Sequence, residues 1–333
     1  MKRKIYPLVL AVLFATASFA QQITINVETA GTLSSLIAES KKDVITDLKL
    51  TGELDEQYDM SFIRNMHALE KLDLKNAITY NSAGKAGIIS VCCFMNMTSL
   101  KHIVLPVNTI EIGDCAFQNC ESLETIEFSE VLEKIGYDAF YNCVNLKSLD
   151  LPNTLTTIGR GAFYNCTSLK SVVLPNSVAE LSTPDDWSKK GCFQQCTSLE
   201  SIDMSENITV IPEDFAAGCE NLKAIIIPDK VGSIMDNAFS NCPNLKDFVI
   251  GKKVGYIAFP FRNQIENVVF KCQKIGSRWF KGSTTLQTVT FEKTVQAIEE
   301  TAFLNCTNLK YVHIPSTISS IGERAFEGCI GLL

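Results

Sequence analysis

Residues 162–175 read AFYNCTSLKSVVLP, and the same phrase returns along most of the 333-residue chain. Its Phe is the most regular marker, and the first four copies are evenly spaced: Phe94, Phe117, Phe140 and Phe163. Seven more copies follow at less regular gaps: Phe193, Phe215, Phe239, Phe259, Phe280, Phe303 and Phe326. A repeated period of this length indicates stacked structural units.

Each unit adds a Cys and a short apolar phrase to the marker Phe. Cys follows the Phe by three residues in most units, as Cys166 does, and an L-x-x-I-x-L phrase begins three residues later. The last two apolar residues of that phrase are two apart, so they share one face of a β-strand. Pro then ends the strand in several units, as at Pro175, because Pro donates no backbone hydrogen bond. Two weaker copies, Ile45-Leu48-Leu50 and Leu69-Leu72-Leu74, precede the Phe series.

A single unit of this size cannot bury its own apolar side. Stacked units can, because their strands pair into one parallel sheet while Phe, Cys and Leu pile into ladders. An Ile-Gly pair such as Ile158-Gly159 anchors the return half of each coil. We therefore predict an α/β solenoid that is rich in strand, with little helix and one parallel strand per repeat of about 23 residues.

The repeated phrase A-F-x-N-C-x-x-L-x-x-I-x-L-P resembles the BspA-type leucine-rich repeat of exported and surface proteins in bacteria and some protists. The resemblance extends from about residue 44 to the end of the sequence. It implies a curved leucine-rich repeat solenoid, with one strand per repeat on the concave side and short turns or 3₁₀ segments behind. Some members of that family bind host proteins or mediate attachment, so the resemblance also implies a binding role.

The two ends of the sequence differ from the repeats. Residues 1–20 predict a cleavable signal peptide, because Lys2, Arg3 and Lys4 precede a short apolar run and small residues flank a cleavage site after Ala20. The alternative is a retained membrane anchor, for which the run is short. This predicts secretion or a cell-surface location, with the periplasm as a further option and no membrane span after cleavage.

The rest of the chain divides into a cap and the repeat array. We interpret residues 21–68 as an N-terminal cap with a degenerate first repeat, including a short helix near Leu33, and residues 69–333 as the repeats. The last repeat is incomplete, since the chain stops at Gly331-Leu332-Leu333 where a new strand should open. Either the sequence is truncated there, or the last coil is left exposed and a partner covers it. Self-association would use this uncapped C-terminal end.

The 13 cysteines follow the repeat rather than a disulfide pattern. Eight occupy the ladder position, which follows the marker Phe by three residues in most units. Cys92 and Cys115 share another position, and Cys93 and Cys192 stand where other units have a small Ala. Parallel side chains in register keep their Cβ atoms wider apart than a disulfide prefers. We interpret the ladder as small buried filler, with paired cystines as the alternative, and expect Cys272, which fits no ladder, to be exposed.

The composition and motifs favour neither an enzyme nor a nucleic-acid binder. The net charge of -7 disfavours nucleic acid as a partner. No metal-binding, nucleotide-binding or nucleophile motif is present, so we predict no catalytic residue, metal or cofactor. One Asn recurs before the ladder Cys, and we predict that it bonds the turn backbone instead of forming a polar site: Asn119, Asn142, Asn165, Asn241 and Asn305.

The surface of the predicted sheet offers the best candidate binding residues. Residues between the core positions of each strand point outward. Their second column is acidic and then apolar along the chain: Glu127, Asp150 and Asp203, followed by Ile226, Val249 and Val269. Aliphatic residues on consecutive strands suggest a binding patch beside an acidic one, although β-branched residues also favour strands for their own reasons.

Three irregular segments interrupt the period. They are residues 76–90, 182–190 and 251–282, and the last two contain Trp187 and Trp279. Trp279 stands where other repeats have Ala, which must change the local stacking. These segments are either tolerated loops or, as exposed Trp suggests, contact loops.

The function that these features favour is that of an exported, non-catalytic scaffold for protein interaction, in surface attachment or in binding a host protein. The partner is then a protein that the sequence does not identify. The alternative is a structural or self-associating component of the cell envelope. Both follow from a rigid repeat surface without catalytic motifs.

Overall fold

The computed structural model describes residues 22–81, 83–181, 190–258 and 262–332. Over these residues the chain forms a parallel β-solenoid of about 12 turns with few helices, as the repeat predicted. The signal peptide prediction falls outside the described residues, as does Trp187.

One series of strands forms what we call the front face of the solenoid. These strands come from the N-terminal cap and the L-x-x-I-x-L phrases: Ile23–Val27, Asp47–Asp55, Lys71–Tyr80, His102–Val104, Thr125–Glu127, Ser171–Val173, Ser201–Asp203, Ala224–Ile226, Asp247–Ile250, Asn267–Phe270, Thr288–Phe291 and Tyr311–Val312. They pair in parallel as three sheets of five, two and five strands. All described pairs along the repeats match corresponding residues of consecutive units, for example Val172 with Ile202.

A second series of two-residue strands forms the back of the coils. The strands are Ile88–Ile89, Glu111–Ile112, Lys134–Ile135, Thr157–Ile158, Val210–Ile211, Ser233–Ile234, Tyr256–Ile257, Lys274–Ile275, Ala297–Ile298 and Ser320–Ile321. They pair in parallel as sheets of four, three and three strands. The return half therefore carries short strands as well as the turns that the resemblance implied.

The N-terminal cap combines a strand with short helical segments. Its helical segments are the α-helices Leu33–Leu36, Glu39–Lys42 and Ser61–Arg64 and the π-helix Glu56–Met60. The helix near Leu33 was predicted. The strand Ile23–Val27 was missed, although its alternating sequence ITINV is typical of an edge strand.

The marker Phe side chains fill the core between front and back. Phe117 and Phe140 stack with ring centroids 5.0 Å apart, and Phe140 and Phe163 at 5.3 Å. The stack changes at Phe215, which meets Phe193 edge-on at 5.5 Å. Phe215 occupies the position that Ala occupies in other coils. Ala216 occupies the marker position instead, since its backbone N–H makes the hydrogen bond to the next coil that a marker Phe makes elsewhere. The exchanged order explains why Cys219 follows this Phe by four residues.

Two strand predictions are corrected by the structure. Residues 148–150 form no strand, so the front face is interrupted between Thr125–Glu127 and Ser171–Val173. The interruption lies beside Phe128, whose ring meets Phe140 edge-on where neighbouring coils have a smaller side chain. Residues 76–80, expected to be part of a loop, instead extend the strand Lys71–Tyr80 beyond a β-bulge and pair with Asp47–Asp55.

Candidate protein-binding face

The front strands hold their outward residues in two aligned columns, as the sequence predicted. In the second column, Ile226 pairs with Val249, and Val249 pairs with Val269. The residues between them in sequence, such as Phe248 and Val268, point inward and are buried. Neighbouring members of a column are therefore about 4.8 Å apart, which is the spacing of paired strands.

Ile226, Val249 and Val269 form the aliphatic patch of this face. The Ile226 side chain is 62% exposed, while Val249 and Val269 are half-buried. Val173, on the two-stranded sheet that precedes the patch, is 61% exposed. Aliphatic side chains held in water on a rigid sheet favour contact with another apolar surface.

Glu127, Asp150 and Asp203 form the acidic group of the same face. All three are exposed, but the structure places them on separate segments of the face. Glu127 ends the first sheet, Asp203 lies on the two-stranded sheet opposite Val173, and Asp150 lies in the interruption between them. The acidic group is thus a spaced row of carboxylates rather than a cluster.

His102 lies next to the first carboxylate of this row. Its Nδ1 is 2.7 Å from the Thr125 hydroxyl, and its Nε2 is 3.8 Å from a carboxylate oxygen of Glu127. The His102–Thr125–Glu127 contacts cross two paired strands. They place the imidazole beside a front-face carboxylate that stays exposed.

A ladder of Lys–Glu pairs borders the front face where the strands begin. Lys147 pairs with Glu124 and Lys223 with Glu200, both at 2.5 Å. The hydrogen bond from Lys147 lowers the pKa of Glu124, and that from Lys223 lowers the pKa of Glu200. Sequence reasoning missed these pairs, although the partners in each are separated by one repeat length. These pairs balance negative with positive charge along one edge of the face.

Trp279 is not an exposed contact residue. It is only 8% exposed, and its ring stacks on Phe270 with centroids 6.4 Å apart. Gly276 provides the space, because a Cβ at that position would lie 2.2 Å from the indole nitrogen. Cys272, also expected at the surface, is 1% exposed. The irregular repeat therefore turns both side chains inward.

The ladder cysteines are buried, as predicted, and they also make hydrogen bonds that were not predicted. Each thiol donates to a backbone carbonyl of the preceding coil, as Cys143 does to Phe117 at 3.2 Å and Cys166 to Phe140 at 3.3 Å. All 13 cysteines lie in described residues and are free thiols. Burial raises the pKa of the Cys120 and Cys196 thiols to about 12.

Three members of the Asn ladder, Asn119, Asn142 and Asn165, are structural, but their bonding differs from the prediction. The Asn142 amide donates to Asn119 at 3.1 Å, and the Asn165 amide donates to Asn142 at 2.9 Å. These side chains bond one another rather than the turn backbone. Asn142 has φ 59°, a left-handed conformation that Asn tolerates better than most residues.

One open groove lies away from the columns of the front face. It has a volume of about 970 Å³, and its lining includes Gln194, Gln195, Asp214 and Asn241. Burial, followed by the Glu213 charge, raises the pKa of Asp214. Half of the residues that line the groove carry side-chain amides, so it does not offer the aliphatic surface found on the front face.

Among the residues that the structure describes, no group of three or more His, Cys, Asp or Glu side chains could hold a metal ion. None of the helices in the described part is long and apolar enough to cross a membrane.

The coils, the front sheet and the Phe, Cys and Leu ladders define a leucine-rich repeat protein. The chain belongs to the BspA type leucine rich repeat family, whose repeat matches residues 87–184, 187–260 and 252–333 in six copies. No curated protein sequence matches the chain significantly. The family assignment therefore rests on the repeat match.

Solved structures with the same repeat architecture share limited identity with this chain. A leucine-rich repeat protein from Bacteroides ovatus is 21% identical with a TM-score of 0.48, and the match covers 79% of this chain and 85% of that chain. A leucine rich cell surface protein from Faecalibacterium prausnitzii is 24% identical with a TM-score of 0.45, covering 74% and 82%. The T. pallidum leucine rich repeat protein is 26% identical with a TM-score of 0.39, covering 60% and 72%.

Proposed function

We propose that the chain is an exported, non-catalytic scaffold that binds another protein through its front face. Leucine-rich repeat proteins of the bacterial surface type are generally protein-interaction scaffolds. The observation that carries the proposal is the alignment of Ile226, Val249 and Val269 on three paired strands. Their outward aliphatic side chains have no role in the core of the solenoid, which the inward residues already fill.

The chemistry of the face specifies the kind of partner. Apolar side chains of the partner would cover the aliphatic patch, and basic side chains would lie against Glu127, Asp150 and Asp203. The buried aliphatic contacts would supply affinity, whereas the carboxylates would speed encounter and fix orientation. Since paired strands hold the face rigid, binding costs little ordering of this chain.

The proposed place of action follows from the N-terminal sequence. Residues 1–20 carry the basic start, apolar run and small-residue site of a secretory signal. We infer secretion or display at the cell surface, where attachment or host-protein binding would use the front face. Immunolabelling of intact cells, before and after deletion of residues 2–20, tests this location.

The binding proposal is tested by affinity capture with matched variants. The baits are the parent chain from Gln21, the double variant Ile226→Asp with Val249→Asp, and a control variant Val107→Asp with Val131→Asp. Val107 and Val131 are 56% and 43% exposed, but they lie in turns outside the front strands. A protein retained by the parent and control baits, and lost by the front-face variant, supports the proposal. Equal retention by all three baits contradicts it.

A second candidate function is self-association in the cell envelope. Ile321 is 50% exposed and Ile330 is 83% exposed, and a contact between copies would cover such aliphatic side chains. Sedimentation of the purified chain over a range of concentrations tests this. A mass that rises with concentration in the parent, and stays monomeric in Ile321→Ser with Ile330→Ser, supports self-association. A monomeric parent at all concentrations excludes it.

A further inference from the structure

Cys92 and Cys115 differ from the other cysteines of the chain. They are partly exposed, whereas all the others are buried. They hold the same place in consecutive coils, one repeat length apart, and each comes shortly before a marker Phe. Both have φ 55°, so their side chains leave the backbone in the same direction.

The backbone places these two cysteines side by side. The Cys92 N–H donates to the Asp114 carbonyl, and the Cys115 N–H donates to the Tyr137 carbonyl, both at 2.9 Å. Paired strands of adjacent coils nearby, such as Ile88–Ile89 and Glu111–Ile112, keep the same offset of one repeat. An inter-strand spacing of about 4.8 Å lies within the Cα–Cα range of disulfides.

Exposure distinguishes this pair from the ladder. A ladder thiol such as that of Cys120 is buried and donates to a backbone carbonyl of the preceding coil at 3.1 Å. After burial, the neighbouring Cys92 is the next cause of the raised pKa of the Cys115 thiol, which indicates that the two thiols lie close together. The Cβ spacing of parallel residues in register applies to this pair as it does to the ladder, but its partly exposed segments are less confined by the core than the ladder positions are.

We propose that Cys92 and Cys115 form a disulfide bond when the chain meets an oxidising environment. The bond would join two consecutive coils beside the N-terminal cap, where Arg64 donates to the Cys92 carbonyl at 3.1 Å. This inference concerns the chain's own covalent state and does not depend on the front-face partner.

The chemistry is thiol–disulfide exchange with a small-molecule disulfide such as oxidised glutathione. One cysteine attacks the oxidant as a thiolate, forms a mixed disulfide and releases one glutathione thiolate. The second cysteine then attacks the protein sulfur of the mixed disulfide, which releases the second glutathione. Two protein thiols are oxidised by two electrons in total, the oxidant is reduced to two thiols, and these take up the two protons.

The two cysteines are expected to react in a fixed order. Burial, followed by the neighbouring Cys92 and the carboxylates of Asp138 and Asp114, raises the pKa of Cys115 to about 12. Cys115 is therefore protonated at neutral pH and is a poor first nucleophile. Cys92 makes the first attack, and Cys115 resolves the mixed disulfide.

The test is oxidation of the folded chain followed by peptide mapping. The reduced chain is incubated with oxidised glutathione, alkylated at its remaining thiols and digested with trypsin. We expect a loss of two hydrogen atoms and a cross-link between peptides 86–101 and 102–134, which contain Cys92 and Cys115. A chain in which both cysteines remain open to alkylation after complete exposure to the oxidant overturns the proposal.

Matched variants identify the sulfur atoms, because each peptide holds a second cysteine. Cys92→Ser and Cys115→Ser should abolish the cross-link, while Cys93→Ala and Cys120→Ala should retain it. Circular dichroism establishes that each variant is folded. Cys115→Ser should also accumulate a glutathione adduct on Cys92, and Cys92→Ser should accumulate much less on Cys115. A cross-link that persists in Cys92→Ser contradicts the pairing.

Discussion

At the residue scale, the ladder Cys combines two properties that no other small side chain offers together. Its side chain is small enough for the packed core between consecutive coils, and its thiol donates to a carbonyl of the preceding coil. Cys166 is fully buried and makes this bond to Phe140. Ala would fill less of the space, and Ser would bring a more polar group into it.

The relative cost of two substitutions at Cys166 tests this account. Cys166→Ala removes both the bond and part of the packing, so we expect it to lower the free energy of unfolding by about 1–3 kcal/mol. Cys166→Ser keeps a donor, so we expect a smaller loss. Urea unfolding in the presence of a reductant measures both. A larger loss for Ser than for Ala would show that the position is purely apolar.

The residue scale also shows where sequence reasoning reaches its limit. The spacing identified the buried Phe, Cys and Leu positions, because each repeats with a fixed neighbour in the next coil. Trp279 was predicted as a candidate contact residue because it lies in an irregular segment, and Cys272 was predicted to be exposed because it fits no ladder. The burial of Trp279 depends on space left by Gly276 and on contact with Phe270, which no periodic rule specifies.

At the element scale, the outward columns of the front face were predicted together with their register. Alternation along a strand fixes which side chains point outward, and the repeat fixes which strands pair. The short back strands were missed, because two extended residues leave no alternation to detect. The interruption at residues 148–150 was missed for a different reason, because its sequence keeps the repeat pattern.

The N-terminal cap depends on one buried carboxylate. Asp59 is 1% exposed and accepts backbone N–H bonds from Gly31 at 2.6 Å, Leu33 at 2.9 Å and Asp55 at 2.9 Å. Asp59→Ala would leave these donors without their acceptor, and we expect it to lower the free energy of unfolding by about 3 kcal/mol or more. Asp59→Asn, which keeps one acceptor oxygen, should cost less.

Hydrogen exchange distinguishes a local effect of Asp59→Ala from a global one. Amides of residues 23–42 should exchange faster in the variant, while those of the coils after residue 100 should keep their protection. Unchanged protection throughout the cap would contradict the role assigned to Asp59.

At the scale of the whole molecule, the buried thiols predict a loss of stability in alkali. Burial raises the pKa of Cys120, Cys196 and Cys272 to about 12 in the folded chain, whereas an unfolded Cys ionises near about 8.5. The contribution of these buried thiols to the free energy of unfolding is therefore complete below about pH 8.5 and is lost as the pH rises towards about 12. Each such thiol should lower the free energy of unfolding by about 1.4 kcal/mol per pH unit in that range.

Unfolding in urea between pH 8 and pH 10, under reducing conditions, measures this slope. Cys120→Ala serves as the internal reference, because it removes one thiol and leaves all other titrating groups in place. The slope should become shallower by about 1.4 kcal/mol per pH unit in the variant. Identical slopes in the parent and the variant would mean that the thiol ionises equally in both states.

The position of the front-face side chains depends on all three scales. Residue spacing, strand pairing and the stacking of the solenoid together hold the aliphatic patch and the acidic group in place. The most direct test of the role of the front face is the affinity of a purified captured partner for three chains, measured by titration calorimetry. The chains are the parent, Ile226→Asp with Val249→Asp, and Val107→Asp with Val131→Asp. We predict that the front-face variant weakens binding by at least about tenfold and that the control binds like the parent. Equal affinity of the front-face variant and the parent would contradict a binding role for this face.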